Sequence, residues 1–338
     1  MFFSIIIPLY NRPVEIKELL VSLTQQRYSN FEVIIVEDGS SKPAEDIVAR
    51  FKGQLDVHYY YKENEGQGFA RNYGFERAKG DYFIVFDSDI LVPADYLDHV
   101  LKGLQRDGWD AFGGPDAAHA SFTAVQKAIS YSMTSPFTTG GIRGNKKHVG
   151  QFHPRSFNLG ISRQVWEKTR GFKLSRRSED IEFSIRMINA GFKVGLIPEA
   201  FVYHKRRANF SQFYQQTYQF GKGRIDIYKM YPSELKPVHA LPAVFVIGLV
   251  ALLMINVINL LTMNEIQLFN ALGWLGNAFL GLYTFLLFLH ALFVCKNLGV
   301  AILAVIAAYT QLIAYGSGFL SQYATLILSN KNNKKLTV

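Results

Sequence analysis

Short apolar runs alternate with amphipathic segments along roughly the first 200 residues of the chain. The runs are rich in β-branched and aromatic residues, which is typical of buried strands. Helical periodicity follows the first three runs. Strands that alternate with helices predict an α/β fold with a mostly parallel sheet and right-handed crossovers. The predicted strands are 3–8, 31–36, 57–61, 82–86, 192–197 and 200–203.

Polar or glycine-rich clusters follow each of the first four predicted strands. Because the carboxyl ends of parallel strands meet at one edge of a sheet, and open α/β sheets bind ligands there, we expect the clusters to converge. The clusters are 9–13, 37–40, 64–74 and 87–89.

The fourth strand ends in two carboxylates one residue apart, Asp87 and Asp89. Residues two apart in an extended segment point the same way, so both side chains can face one spot. Two oxygen ligands suit Mg²⁺ or Mn²⁺, which keep several waters and take further ligands from phosphates. Taken alone, the tripeptide is more often a solvated turn than a metal site, so the metal hypothesis depends on its neighbours.

The other clusters offer chemistry for a nucleotide. Asp38 can accept hydrogen bonds from a base or ribose, and Tyr10 can lie against a ring. Gly66 and Gly68 allow backbone N–H groups to approach an anion at a helix start, and Arg71 can add positive charge to a phosphate. The glycine spacing matches neither a P-loop nor a Gly-x-Gly-x-x-Gly fingerprint.

The middle of the chain is rich in Gly, Ser and Thr. Segments 113–116 and 139–148 are predicted as loops, either linkers or an acceptor-binding lid in which Arg143 faces a phosphate with Lys146 and Lys147. Ser178 is predicted to cap a helix that starts with Glu179 and Asp180. These two carboxylates suit either helix-dipole compensation or catalysis. His204, at the end of the last strand, is either structural or a ligand.

Composition changes sharply near residue 236. The chain is 49% hydrophobic, and residues 237–264, 266–295 and 297–330 contain no Asp, Glu, Lys or Arg. Each run exceeds the ~20 residues needed to cross a bilayer core. We therefore predict a soluble N-terminal domain followed by about three transmembrane helices at 237–330 and a basic tail at 331–338.

Charge and cysteine content indicate orientation. The net charge is +9, and basic residues cluster just before the first apolar run, which marks the cytoplasmic side and attracts anionic lipids. The N-terminal run lacks a basic region and a cleavage site, so we expect the soluble domain to stay in the cytoplasm, attached to the inner (plasma) membrane. The single cysteine, Cys295, agrees with a reducing compartment. No nucleic-acid motif accompanies the basic charge, so no nucleic-acid partner is expected. The basic cluster before the first apolar run comprises Lys205, Arg206, Arg207, Lys222, Arg224, Lys229 and Lys236.

Taken together, the motifs resemble the family 2 glycosyltransferases, with their Rossmann-like GT-A fold for nucleotide sugars. The resemblance covers about residues 1–230, and its later part is similar to membrane-bound enzymes of the succinoglycan glucosyltransferase type. Two positions depart from the family pattern: Glu37 stands where Asp is commoner, and Arg170 stands where Gly is usual. The matching motifs are Ser4-Ile-Ile-Ile-Pro-Leu-Tyr-Asn11, Val36-Glu-Asp-Gly-Ser-Ser41, Asn64-Glu-Gly-Gln-Gly-Phe-Ala-Arg-Asn72, Asp87-Ser-Asp89 and Ser178-Glu-Asp180.

The resemblance implies roles for individual residues. Asp180, beside Glu179, would be the general base, and Asp87, Asp89 and His204 would hold Mg²⁺ or Mn²⁺. The nucleotide-sugar donor, a UDP- or GDP-sugar, would contact Pro8, Tyr10, Arg12, Glu37, Asp38, Asn64, Gly66, Arg71, Asp87 and Ser88. The acceptor would contact Gly114, Arg143, Asn158 and Arg207.

The segment before the first span carries aromatics at helical spacing, which suits either an interfacial helix at 206–236 or an ordinary amphipathic core helix. The residues at this helical spacing are Phe210, Phe213, Tyr214, Thr217 and Tyr218, of which all but Thr217 are aromatic.

Processive synthases carry Gln-x-x-Arg-Trp near the membrane, whereas Gln219 to Arg224 is followed by no Trp, which favours transfer of a single sugar. Three spans would place the Lys-rich tail outside, against the positive-inside tendency, unless the last run is not a simple span.

The sequence thus predicts a catalytic domain at 1–205. The leading hypothesis is an inverting, metal-dependent transfer of one sugar from a nucleotide sugar to a polyprenyl-diphosphate-linked saccharide. One alternative is a polyprenyl-phosphate monosaccharide synthase, whose acceptor is the lipid phosphate. Another is a non-catalytic membrane scaffold or transport partner with a relic sugar-nucleotide domain.

Overall fold

The computed structural model describes residues 1–117, 122–139, 152–205, 207–263 and 265–335, with only the backbone at 139 and 330–335. The chain divides into two compact units. The first is Met1–Ala120 with Asn145–Lys205, and the second is Ser121–Gly144 with Arg206–Val338.

The helices and strands follow one another in chain order. From the N-terminus they are β1 (Phe3–Leu9), α1 (Pro13–Leu23), β2 (Phe31–Asp38), α2 (Glu45–Ala49), β3 (Val57–Lys62), α3 (Gln67–Phe75), β4 (Tyr82–Phe86), β5 (Ile90–Leu91), α4 (Tyr96–Asp107), β6 (Ala111–Gly113), β7 (Asp116–Ala117), α5 (Ala124–Thr134) and α6 (Pro136–Thr139). They continue with β8 (Asn158–Ser162), α7 (Arg163–Thr169), α8 (Glu179–Asn189), β9 (Val194–Leu196), β10 (Val202–His204), α9 (Phe210–Met230), two 3₁₀ turns (Pro232–Glu234 and Pro237–His239), α10 (Leu241–Leu261), α11 (Gln267–Cys295) and α12 (Leu298–Lys335).

The main sheet of the first unit has the strand order β3-β2-β1-β4-β8-β6-β9. Its first four strands, β3, β2, β1 and β4, are mutually parallel, and β8 runs antiparallel to both β4 and β6. The predicted α/β fold with a mostly parallel sheet is therefore confirmed. The carboxyl ends of the four parallel strands lie at one edge.

Both faces of this sheet are covered at its centre, which explains why β1 and β4 are nearly continuous apolar runs. Successive side chains of a strand point to opposite faces. Ile5 and Ile7 pack with α1 and α4 in one core cluster, whereas Ile6 packs with α3 and α8 in another. The burial of apolar area on both faces holds the parallel strands in register.

A small second sheet, of order β5-β10-β7, lies beyond the end of β4. In it β10 pairs antiparallel with β5, so that His204 lies opposite Ile90. The sequence pattern predicts β10 as a late strand but does not indicate its partner. This pairing carries a residue from the end of the domain to the Asp87–Asp89 turn.

Within the described residues of the second unit, three helices are long and apolar enough to cross a membrane: Leu241–Leu261, Gln267–Cys295 and Leu298–Ser329. The last of these belongs to α12, which continues without a break to Lys335. Part of the segment predicted as a basic tail is therefore helical.

The aromatic segment predicted as an interfacial helix forms α9, which packs along α12. Phe213 and Thr217 are buried, and a Cβ at Gly221 would overlap the carbonyl oxygen of Tyr315. This side of α9 is therefore in close helix–helix contact. Its placement at a membrane interface stays a prediction.

Residues 122–139 belong to the second unit rather than to the sheet domain, although they lie within the predicted range 1–205. Thr123 caps α5 through a capping box with Gln126. Ser132 Oγ donates a 2.6 Å hydrogen bond to Gln311, and Tyr131 Oη lies 2.6 Å from His290 Nδ1. These polar contacts tie α5 to α11 and α12.

Candidate active site

Two carboxylates and an imidazole meet at the carboxyl end of β4. Asp87 follows β4 directly, Asp89 precedes β5, and the β5–β10 pairing supplies His204. One ligand atom from each of the three lies within 4.8 Å of the others, and His204 Nε2 is 3.2 Å from Asp89 Oδ1. The structure thus brings together the three predicted metal ligands.

The cluster has the chemistry of a divalent cation site. Carboxylate oxygens are the ligands that Mg²⁺ and Mn²⁺ prefer, and imidazole is a common ligand of transition metals. The ring of His204 stacks on Phe157 with centroids 4.8 Å apart, and its buried Nδ1 has no hydrogen-bond partner among the residues described. Arg12 Nη1 pairs with Asp89 Oδ2 and offsets part of the local negative charge. The residues present therefore fit Mg²⁺ or Mn²⁺.

Arg71 connects this cluster to the second pair of carboxylates. Its side chain is fully buried, with Nη2 2.8 Å from Asp87 Oδ1 and Nη1 3.0 Å from Glu179 Oε1. From the sequence, Arg71 was expected to face a phosphate. In the structure both terminal nitrogens are engaged by carboxylates, so its direct effect is to orient Asp87 and Glu179.

Glu179 and Asp180 begin α8 but lie in different environments. Glu179 is buried, and desolvation together with the neighbouring charge of Asp180 raises its pKa to about 7, although Arg71 opposes the rise. The side chain of Asp180 is 17% exposed, with Oδ2 3.6 Å from Arg155 Nη1. Asp180 is therefore the carboxylate of the pair that a bound molecule can reach.

The predicted N-cap role of Ser178 is wrong in its detail. Ser178 has φ = 60° and makes no side-chain capping hydrogen bond. Asp180 Oδ1 instead accepts a 2.8 Å hydrogen bond from Ile181 N. The left-handed backbone at Ser178 turns the chain into α8 immediately before the two carboxylates.

Asp38 and the glycine-rich segment hold each other in place. Asp38 is buried and accepts hydrogen bonds from Glu65 N at 3.0 Å and Gly66 N at 2.8 Å. Gly68 N donates to Ser175 O at 2.8 Å, and a Cβ on Gly68 would overlap Leu174 O. These amides were expected to bind an anion. They are used within the protein, and Gly68 is required because the backbone of 174–175 approaches so closely.

Glu37 is a structural residue in this arrangement. It is fully buried and accepts hydrogen bonds from Ser40 Oγ, from Ala44 N at 2.9 Å and from Tyr59 Oη at 3.1 Å. No surface of Glu37 is available to a nucleotide, so the predicted donor contact is replaced by support of the loop after β2.

Comparison with known proteins agrees with the fold and the motifs. The profile of the family described as "Glycosyl transferase family 2" matches residues 4–168. These residues form a family 2 glycosyltransferase domain. The solved structure titled "Mannosyltransferase PcManGT from Pyrobaculum calidifontis in complex with GDP-Man and Mn2+" has the same fold, with a TM-score of 0.63 and 17% identity over 94% of this chain and 86% of that one.

Two relatives illustrate the range of similarity by sequence. "Glycosyltransferase AglE" of Haloferax volcanii is 26% identical over 254 residues, which are 73% of this chain and 81% of AglE. An "Uncharacterized glycosyltransferase" of Rickettsia felis is 31% identical over 141 residues, which are 41% of this chain but only 22% of the Rickettsia protein. The chain thus spans about a fifth of that relative's length.

Other predicted donor residues line the same edge of the glycosyltransferase domain. Tyr10 is 53% exposed and its ring is available for stacking. Asn64 is exposed, and its Nδ2 donates to Asp38 O at 2.7 Å. Pro8 is half-buried and Ser88 is buried, so Ser88 has little surface for a ligand.

Two of the four predicted acceptor residues, Gly114 and Asn158, are buried within the first unit. Asn158 is fully buried: its Oδ1 accepts from Tyr96 Oη at 2.6 Å and its Nδ2 donates to Ala200 O at 2.8 Å. Gly114 is buried beside it, so both residues are structural and the predicted contact with an acceptor is wrong for them. Arg207 belongs to the second unit. Arg143 lies outside the described residues, as do Lys146 and Lys147.

Two residues near the carboxylate pair were missed by the sequence analysis. Arg155 lies beside Asp180, and Gln67 Nε2 donates to Glu179 Oε1. Gln67 falls inside the glycine-rich motif, which offered a signal. Arg155 stands in a segment without periodicity, and only the folded chain brings it to Asp180.

Proposed function

We propose that this chain transfers one sugar from a nucleotide-sugar donor to a lipid-linked saccharide, with inversion at the anomeric carbon and dependence on a divalent ion. The observation that carries the proposal is the convergence of Asp87, Asp89 and His204, joined through Arg71 to the Glu179–Asp180 pair. An ion site and a reachable carboxylate at one sheet edge are the two parts that such a transfer requires.

Donor binding is assigned to the edge formed by the first four strands. Tyr10 is exposed for stacking on the base, and Asp38 is fixed by its backbone hydrogen bonds. Asp87, Asp89 and His204 would hold Mg²⁺ or Mn²⁺, which would supply positive charge to the departing diphosphate. PcManGT, which has the same fold, was solved with GDP-Man and Mn²⁺. These points support a UDP- or GDP-sugar as the donor.

Asp180 is proposed as the general base. In a single displacement the acceptor hydroxyl must lose a proton as its oxygen attacks the sugar, and a positioned carboxylate can take it. Asp180 is partly exposed, whereas Glu179 is buried and held by Arg71 and Gln67. Glu179 is therefore assigned to fixing the start of α8, and Asp180 to the proton.

The acceptor assignment rests on the C-terminal helices. Three described helices are long and apolar enough to span a membrane, and basic residues precede the first of them. Excess positive charge beside a span indicates the cytoplasmic side. We accordingly assign the catalytic domain to the cytoplasmic face of the plasma membrane, where it would meet membrane lipids and a polyprenyl-diphosphate-linked saccharide.

The test compares Asp180→Asn with Asp98→Asn in the full-length, detergent-solubilised protein. Asp98 is matched because it also lies in the first turn of a helix, α4. We expect Asp180→Asn to lower turnover by about 10²–10⁴-fold, since a general base contributes about that much, with donor affinity unchanged in calorimetry. Asp98→Asn should keep wild-type turnover.

Wild-type turnover in Asp180→Asn would remove Asp180 from the role of base. If the product were then a glycosylated lipid phosphate, the activity would be that of a polyprenyl-phosphate monosaccharide synthase, because a phosphate acceptor needs no base. Absence of both Mn²⁺ binding and nucleotide-sugar binding in the wild type would contradict the proposed enzyme and favour a scaffold or transport partner.

A further inference from the structure

A second cluster of possible metal ligands lies at the opposite edge of the main sheet. Glu32 is the second residue of β2, His58 is the second residue of β3, and Asp56 immediately precedes β3. Glu32 and the candidate active-site residue Asp38 are six positions apart on one strand, which corresponds to about 20 Å. The cluster is therefore separate from the edge assigned to catalysis.

Only one of the two oxygens of the Glu32 carboxylate accepts hydrogen bonds. Glu32 is fully buried, and its Oε1 accepts hydrogen bonds from Ser4 Oγ at 2.6 Å and Lys79 N at 2.7 Å. Its Oε2 is also buried, and no group in the described part of the chain donates a hydrogen bond to it. A carboxylate oxygen that accepts no hydrogen bond is expensive to bury, so a cation is expected at this atom.

The imidazole of His58 faces the same point. Its Nε2 lies 3.6 Å from Glu32 Oε2 and 3.2 Å from Asp56 Oδ1. Neither contact has the geometry of a hydrogen bond, and the buried Nε2 has no hydrogen-bond partner in the ranges that the structure covers. The three atoms therefore surround a common point instead of bonding to one another.

The spacing of these atoms fits a tetrahedral ion. Zinc bonds to nitrogen and oxygen of about 2.0–2.2 Å at tetrahedral angles place neighbouring ligand atoms about 3.3–3.6 Å apart. The two measured separations, 3.2 and 3.6 Å, are close to this interval, and one ligand atom of each residue lies within 4.8 Å of the others. The side chain of Asp56 is 59% exposed, so water can reach a fourth position.

We propose that Glu32, Asp56 and His58 bind a divalent transition metal, with Zn²⁺ the best match, as a structural site. Two carboxylates would neutralise the charge of the ion. Because β3 is the edge strand of the main sheet and β2 is its neighbour, the ion would join the two strands at their N-terminal ends. It would stabilise the folded chain by binding it in preference to the unfolded chain.

The test uses Co²⁺ as a spectroscopic substitute for Zn²⁺ in the full-length protein in detergent. We expect a visible absorption band with the intensity typical of tetrahedral Co²⁺. This band should be lost in His58→Gln and in Asp56→Asn. Asp56→Asn keeps the proposal testable if His58→Gln folds poorly, because the Asp56 side chain is largely exposed. His99→Gln is the matched control, since His99 Nε2 lies 3.8 Å from Asp95 Oδ2 in a comparable surface pair.

Thermal unfolding supplies an independent readout. At Zn²⁺ one hundred times its dissociation constant, the wild type and His204→Gln should both gain roughly 5–10 °C in Tm, whereas Asp56→Asn should gain nothing. A Co²⁺ band that survives in both His58→Gln and Asp56→Asn would overturn the proposal. So would a band and a Tm gain that disappear only in His204→Gln, because the ion would then bind at the candidate active site alone.

Discussion

Arg71 provides the sharpest test of how the site is held together. Its guanidinium is fully buried between Asp87 and Glu179 and lies 5.2 Å from the centre of the Phe172 ring. Its third nitrogen, Nε, is buried and has no hydrogen-bond partner within the described chain. In Arg71→Met an apolar chain of similar length would fill much of the space but leave both carboxylates without their cation.

The two ion pairs are not equivalent. The Asp87 side chain is 31% exposed, so water can replace the guanidinium and the loss should be no more than about 1 kcal/mol. The Glu179 side chain is 5% exposed, and breaking a buried pair by removing one partner costs about 3–5 kcal/mol. For a domain of this size, that loss corresponds to a fall in Tm of roughly 6–20 °C.

The loss of stability in Arg71→Met should also depend on pH. Arg71 opposes the rise in the pKa of Glu179, so the variant should raise that pKa further. A carboxyl group with a raised pKa in the folded state binds more protons when folded than when unfolded. Stability therefore falls as pH increases from the usual carboxyl pKa to the raised one. The variant should accordingly lose more Tm at pH 8 than at pH 5.

The assay is thermal unfolding of the full chain in detergent, followed by tryptophan fluorescence at both pH values. Arg77→Met is the matched control: Arg77 also stacks on a ring, that of Tyr73, but its ion pair with Glu76 is partly exposed. The double variant Arg71→Met/Glu179→Gln should recover most of the loss seen at pH 8. Equal Tm losses in Arg71→Met and Arg77→Met, or a loss independent of pH, would refute the reasoning.

Three further predictions concern the same domain. The free energy of unfolding should fall between pH 5 and pH 8 by up to about 3 kcal/mol less in Glu179→Gln than in the wild type, because burial raises the pKa of Glu179 from 4.5 to about 7. An unchanged pH profile in thermal unfolding would contradict this. Asn158→Leu should destabilise the domain by about 2–4 kcal/mol, since Tyr96 Oη and Ala200 O would lose their buried partner, and denaturant unfolding measures it. Removal of divalent ions with a chelator should abolish sugar transfer until Mn²⁺ is restored. In activity titrations, His204→Gln should raise the half-saturating Mn²⁺ concentration at least about tenfold. An unshifted titration would exclude His204 as a ligand.

The parallel part of the fold was predictable because its information is local. The runs around Ile6 and Val85 are too apolar for anything but strands buried on both faces, and helical periodicity separates them. Once the strands are parallel, their carboxyl ends share an edge. The sequence alone therefore predicted that the segments carrying Asp38, Asp87 and Asp89 would meet there.

Other features depended on contacts between distant segments. The position of β8 between β4 and β6, and the pairing of β10 with β5, follow no local pattern, because strands of two to five residues carry little periodicity. Residues 122–139 fall within the predicted catalytic domain at 1–205, but their apolar face packs against α11 and α12. Only long-range packing could assign them to the second unit.

At the site, the sequence determined which charged groups were present, and the tertiary structure decided what each one does. Arg71 and Glu37 look like ligand-binding residues in a motif, yet both are buried, and burial turns a charged side chain toward partners within the protein. His204 lies 115 positions after Asp89 and reaches it only through the small sheet. Local periodicity determines strands and helices, but the desolvation of charge, which sets partners and pKa values, is decided by everything that packs around a group.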